Sequence, residues 1–423
     1  MCSSDPAIQF NYTAGGSLPT GLSTGTTYYV FNLDGTTFQL LNSAGAVVNT
    51  SGSASVDAYI SLLVDVPTVQ NIVTVSDANR FVIAMGCNDY GSATQDPMLI
   101  RWSNQEDPYN WTPDATNQAG SVRLSHGSKI VTSVQTRQEI FVLTDSSAYS
   151  LQYLGPPYVW QSQLLGDNIS IVSPNSAVIA SGIVYWMGVD KFYAYDGRVQ
   201  TLNCDLRRFI FSDINITQYD QIFAGTNEGF NEVWWFYCSS DSSAVNKYVV
   251  YNYVEKVWYY GTMARTAWSD SGLRTYPEAA TYSYNIVDHE YGINDNETAT
   301  TAALNAYIAS SDFDIGDGHN FGFVWRVIPD ITFDGSDTNK PQVNFTVRPR
   351  QFPGTNYGTS DNPVVKSTQN YAGQQSYNVQ QFTEQVYVRL RGRQMAFRVE
   401  SDQLGVSWQL GTPRMDVRPD GRR

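Results

Sequence analysis

Ser125-His126-Gly127 sets a hydroxyl beside an imidazole, the pairing that activates serine for acyl transfer. No G-x-S-x-G elbow accompanies it, so the chain lacks the strained turn that presents such a nucleophile in hydrolases. Cys87, in Met85-Gly-Cys-Asn88, is a nucleophile by type, but its place at the end of an apolar run reads as a buried strand-end thiol. Asp312-Phe-Asp-Ile-Gly-Asp-Gly318 puts Asp312, Asp314 and Asp317 on a glycine-permitted turn, oxygen chemistry suited to Ca²⁺. The spacing is out of step with an EF-hand and lacks the closing Glu, so the stretch reads first as an acidic β-turn. Glycoside hydrolysis needs two carboxylates across a cleft, and 40 acids make some such pair inevitable. Trp268-Ser-Asp-Ser-Gly272 has the composition of a sialidase box, in the wrong order and once only. The cysteines at 2, 87, 204 and 238 form no CxxC pair, and His126, His289 and His319 are isolated, so a zinc centre has little to build on. There is no G-x-x-x-x-G-K-[ST] loop for a nucleotide. The expectation is a protein that is not an enzyme and takes no cofactor.

A different chemistry is written near the end of the chain. Arg389-Leu-Arg-Gly-Arg-Gln-Met-Ala-Phe-Arg398 alternates charge with apolar residues, and strand alternation predicts Arg389, Arg391 and Arg393 on one face, with Arg398 close by. Such a row suits an anionic partner or a phosphate backbone. The reading preferred here is ion pairing, either with the acid-rich segment 278–317 or with a neighbouring subunit, because the rest of the chain is acidic. Between Arg274 and Arg326 there is no Lys or Arg at all.

The whole chain has 423 residues, with 26 Lys and Arg against 40 Asp and Glu, a net charge of −14. That balance argues against gripping DNA, which needs a basic surface. Aromatics make up 13% and charged residues 16%, a composition that excludes a disordered chain and favours strands. No apolar run reaches 18 residues, and Met1-Cys-Ser-Ser-Asp5 has neither a basic nor an apolar stretch, so neither a membrane span nor a secretory signal is expected.

The elements that must carry these residues are short strands. Residues 1–60 are small and polar, and Thr27–Leu41 holds two β-type runs around Asp34-Gly35, a hairpin signal within a small all-β module. Four apolar runs follow, beginning at Phe81, Ile140, Ile183 and Val233, with starts 59, 43 and 50 residues apart. Each leads through a turn into a second aromatic-rich strand, most clearly in Ile183-Val-Tyr-Trp-Met-Gly-Val-Asp-Lys-Phe-Tyr-Ala-Tyr-Asp-Gly197. Meanders at that period predict an all-β chain with a β-propeller core over 61–320, its aromatics filling the wedges between blades. A stack of β-sandwiches is the competing architecture. Residues 321–423 read as further strands that complete or pack on the propeller, around a polar loop at 352–379, and 297–310 is at most one short helix.

The C-terminal stretch Val386–Ser401, followed by Gly405–Arg423, resembles the tail nozzle or hub proteins of short-tailed bacteriophages, some of them known as packaged-DNA stabilisation proteins. Arg101-Trp-Ser-Asn-Gln-Glu-Asp-Pro-Tyr-Asn-Trp-Thr-Pro113, Val184-Tyr-Trp-Met-Gly188 with Tyr195-Asp-Gly197, and Asp288-His-Glu-Tyr-Gly292 support the likeness, which runs over about 70–423. The 12–56 stretch resembles a β module inserted in many phage structural proteins. The chain departs from the family in starting almost inside that module. The resemblance implies a homo-oligomeric ring, usually of six subunits, in the virion tail below the head–tail adaptor. It implies a propeller-based fold, retention of the packaged genome until ejection, and attachment of fibres or tailspikes. DNA would pass without specific binding, and no membrane insertion is expected. No catalytic residue comes with the family. The alternatives are a glycan-binding tail-fibre propeller and, behind it, a propeller hydrolase.

Overall fold

Each of the four apolar runs forms the second strand of a four-stranded antiparallel meander. The second strands are Val82–Met85, Ile140–Thr144, Ile183–Met187 and Glu232–Tyr237. The meanders open with Ile72–Val75, Ile130–Gln135, Ala177–Ala180 and Phe223–Asn227. These opening strands neighbour one another in succession, and the last also neighbours Ala267–Ser269 of a three-stranded fifth sheet. Sheets that fan out from neighbouring first strands are the blades of a propeller-like core. The computed structural model describes residues 7–12, 16–31, 38–52, 58–61, 65–272, 274–314, 318–355, 357–359, 362–364 and 374–421. The turn at Asp34-Gly35, Asp317 and parts of the 352–379 loop lie outside the described residues.

Period-2 alternation explains the arrangement. A strand buried on one face shows every second residue apolar; one wedged between two sheets must be apolar throughout. In the second blade, Ile140 and Val142 pack with Phe81, Ile83 and Trp102 of the first, while Phe141 and Leu143 pack with Val184 and Trp186 of the third. In the third blade, Tyr185 and Met187 turn the other way, onto Val233, Trp235 and Tyr237 of the fourth. Trp234 and Phe236 then face Trp268 of the fifth sheet. The aromatic wedges expected from the sequence are these four inter-sheet cores.

Hydrogen bonds from indoles stitch the wedges. Trp235 Nε1 donates to the Ser176 carbonyl at 3.0 Å, and Trp268 Nε1 to the Thr226 carbonyl at 2.7 Å. Trp268 lies so close over Gly225 that a Cβ there would overlap the indole ring. Gly225→Val is therefore expected to cost about 1–3 kcal/mol as the fourth blade and the fifth sheet are pushed apart, read as a lower urea midpoint with an unchanged slope.

The chain divides into two compact units, Met1–His289 and Glu290–Arg423. The first also contains the N-terminal sheet of Ala7–Tyr12, Thr27–Phe31, Gln39–Leu41 and Ala58–Ser61, with Ile8, Tyr28 and Leu40 as its core. The sequence boundary at 320/321 therefore moves to 289/290. The second unit does not add blades: it is a two-sheet sandwich with its own core. Val324, Val386, Val388 and Leu390 come from one sheet, and Val343, Phe345, Met395 and Val399 from the other. No helix forms in 297–310. Ala306–Ala309 is a strand because it pairs antiparallel with Gln394–Ser401, a tertiary pairing that overrides local alanine preference. Among the described residues the α-helix is Arg207–Phe211, which buries Ile210 against the third and fourth blades.

Candidate functional site

The expected catalytic groups come first, since their geometry decides whether they can act. Ser125 Oγ lies 2.8 Å from His126 Nδ1, and Asp167 Oδ2 stands 4.0 Å from His126 Nε2, beyond a good hydrogen bond. Asp167 also accepts from Ser147 Oγ at 2.9 Å. The nearby backbone N–H groups that an oxyanion would need are engaged. His126 N donates to Tyr149 OH at 2.7 Å, and Ser128 N to Asp145 Oδ1 at 2.8 Å. The cluster ties strand ends of the second blade together. Cys87 is buried, and desolvation pushes its thiol up to about 11, so it stays protonated at neutral pH. Burial likewise pushes Cys204 up to about 11; it lines a shallow hollow with Lys191, Phe192, Asn203 and Arg207.

Two partly buried carboxylates are committed to neighbouring donors. Glu232 accepts from Tyr259 OH and from Trp234 Nε1, and burial raises its carboxyl above the ordinary value. Glu139 accepts from Ser150 and Gln152 of its own blade and from Tyr195 of the third, whose ring stacks on Phe141 at 4.4 Å. Burial opposes ionisation of Glu139, but the hydrogen bonds from Ser150, Tyr195 and Gln152 outweigh it and hold the carboxyl below its usual 4.5. A carboxylate held low stabilises the fold above its unfolded value, and that contribution is lost as acid titrates the folded group. Glu139→Gln is expected to lower stability at pH 7 and to flatten its decline on acidification, measured by urea unfolding across that range.

The acidic turn is likewise committed. Asp312 pairs with Arg350 at 2.9 Å and Asp314 accepts from Gln394 Nε2 at 2.8 Å. Among the described residues no group of three or more His, Cys, Asp or Glu is placed to hold a metal.

The arginine cluster lies on the sandwich. Strand Val386–Gly392 alternates perfectly, with Val386, Val388 and Leu390 inward and Tyr387, Arg389 and Arg391 outward. Arg393 departs from the expectation, because the strand ends at Gly392. It sits in the link between Val386–Gly392 and Gln394–Ser401, strands of two different sheets, with its guanidinium 4.8 Å from the ring centre of Phe321 and 5.2 Å from that of Phe352. Among the described residues Arg391 pairs with Asp420 and Arg398 with Glu400 at 2.7 Å. Sequence reading missed the rest of the surface. Strand Gly322–Ile328 lies between Val386–Gly392 and Arg414–Pro419. The register sets Phe323 opposite both Arg391 and Arg418, and Arg326 opposite both Tyr387 and Asp416. A bulge between Val324 and Arg326 carries Trp325, whose ring lies under Arg326 at 5.0 Å and Arg418 at 4.8 Å. One sheet face thus joins arginines from three strands to Phe323, Trp325 and Tyr387. Among the described residues no carboxylate lies within ion-pair distance of Arg389, Arg414 or Arg418.

No protein-family model matches the chain, and no curated protein is similar to it. Among solved structures, Hsv2 from Kluyvelomyces marxianus aligns over 71% of this chain and 79% of its own at 8% identity, with a TM-score of 0.31. An exo-β-1,3-galactanase from Phanerochaete chrysosporium, with galactose, aligns over 96% of this chain and 100% of its own at 11% identity, with a TM-score of 0.19. Scores this low bear on neither fold nor activity.

Proposed function

We propose that the chain is a non-catalytic structural subunit of a short-tailed phage tail, a homo-oligomeric nozzle or hub that retains the packaged genome and passes it during ejection. The observation that carries this reading is the segregation of charge. Residues 1–289 hold 13 Lys and Arg against 25 Asp and Glu, a balance of −12, while residues 290–423 hold 13 against 15, a balance of −2. A wall that nucleic acid slides along must repel phosphate at close range, and an acidic blade unit does so. The resemblance of the C-terminal stretch to tail nozzle proteins points the same way, and the engagement of Ser125, Cys87, Glu139 and Glu232 in structural contacts supports a non-catalytic role. In this reading the head–tail adaptor and the fibres or tailspikes are its protein partners, and the virion tail is its location.

The proposal is tested by mixing the purified full-length chain with duplex DNA at physiological salt. No mobility shift is expected at micromolar protein, because the acidic unit offers no counterion release. A micromolar, salt-sensitive complex would contradict a passive conduit.

A further inference from the structure

We infer that the arginine and aromatic face of the sandwich is a docking surface for the acidic blade unit of a second copy of this chain, making a head-to-tail contact. The inference rests on the homo-oligomeric reading above and names the surface that builds it. Arg389, Arg414 and Arg418 stand exposed on the three-stranded sheet that carries Trp325, with Tyr387 63% exposed. Arginine, tryptophan and tyrosine are the side chains that dominate protein interfaces, because they combine flat apolar area with directional donors. The guanidiniums of Arg326 and Arg418 are already laid over the Trp325 ring, so those two side chains have little freedom left to lose on docking.

Charge complementarity selects the occupant. Residues 65–123, the first blade and its loops, carry seven acids against Arg80, Arg101 and Arg123. Arg80 pairs with Glu106 and Arg123 with Asp96, while Arg101 is buried, so the blade surface keeps an acidic excess carried by the other five carboxylates. Asp89 and Asp114 are exposed on this blade, as are Tyr90 and Tyr109, at 51% and 48%. A basic aromatic patch on one unit and an acidic tyrosine-bearing patch on the other are different surfaces, so their contact is heterologous. It closes into a ring or runs on as a filament rather than stopping at a two-fold dimer. Nucleic acid is the competing occupant of an arginine–aromatic sheet, but the unit that bears this face is itself slightly acidic.

Sedimentation of the full-length chain over a range of concentration and salt tests the inference. The wild type is expected to associate beyond a dimer at low salt and to dissociate as salt screens the contact. The triple variant Arg389→Glu, Arg414→Glu, Arg418→Glu should weaken association by roughly a hundredfold with an unchanged circular dichroism spectrum. Adding Asp89→Arg and Asp114→Arg to that variant should recover much of the loss, which no folding defect would do. If the wild type assembles and the triple variant assembles equally well, this face is not the contact, while the homo-oligomeric reading stands. If the wild type stays monomeric under all conditions, both fall. If the wild type binds labelled single-stranded DNA and the triple variant does not, the face belongs to nucleic acid and the inference is overturned.

Discussion

Arg101→Ala is expected to destabilise the blade unit by about 3–5 kcal/mol, among the largest effects a single substitution can have here. Arg101 is 2% exposed, on the third strand of the first blade. Its guanidinium donates to three carbonyls: Asp65 at 2.8 Å, Trp111 at 3.2 Å and Asn88 at 3.3 Å. Those carbonyls belong to three separate segments that cover the face of the first blade turned away from the second, where Trp111 packs on Ala84 and Leu99. Removing the side chain leaves three acceptors without their donor and opens a void beneath Trp111. Arg101→Lys should recover only part of the loss, because an ammonium cannot span the three positions as the planar fork does. Urea unfolding followed by circular dichroism measures both variants; a change below about 1 kcal/mol for Arg101→Ala would show that the segments hold themselves in place.

The second large effect is at Trp235. This side chain is fully buried between the third and fourth blades, with Phe192 at 4.9 Å and Trp258 at 6.0 Å between ring centres. Trp235→Ala removes that wedge and strands the Ser176 carbonyl, for an expected loss of about 3–5 kcal/mol. Trp235→Phe keeps most of the apolar volume and loses the indole donor, so its smaller cost isolates the hydrogen bond, about 1–3 kcal/mol for the orphaned acceptor. Amide hydrogen exchange should show faster opening in Ile183–Met187 and Glu232–Tyr237, the strands on either side of the wedge. Unchanged protection there would mean the blades do not depend on this wedge.

What the sequence revealed follows from where side chains are buried. Ile183–Met187 and Glu232–Tyr237 were legible because both faces of each strand are covered, leaving continuous apolar runs. Gly120–Arg123 and Val199–Leu202, the fourth strands of the first and third blades, were not, because they are short, outermost and half exposed. Ala306–Ala309 exists as a strand only through its partner some ninety residues later. Arg389 and Arg391 announced their face by alternation, but nothing local ties them to Arg326, Arg414 and Arg418; pairing across three strands does that. Arg101 reads as any surface arginine until the carbonyls around it are in place. Arg393 lies one step past the end of its strand, where alternation no longer sets its face, and shares the Phe321 ring with Arg391.

The central claim is that an acidic, bladed subunit builds a hollow axial component. Cryo-electron microscopy of intact particles tests it most directly. The account expects this chain in an axial ring below the head–tail adaptor, its acidic blade unit lining a central pore. Finding it as a peripheral appendage, or with a neutral or basic pore wall, would contradict the account.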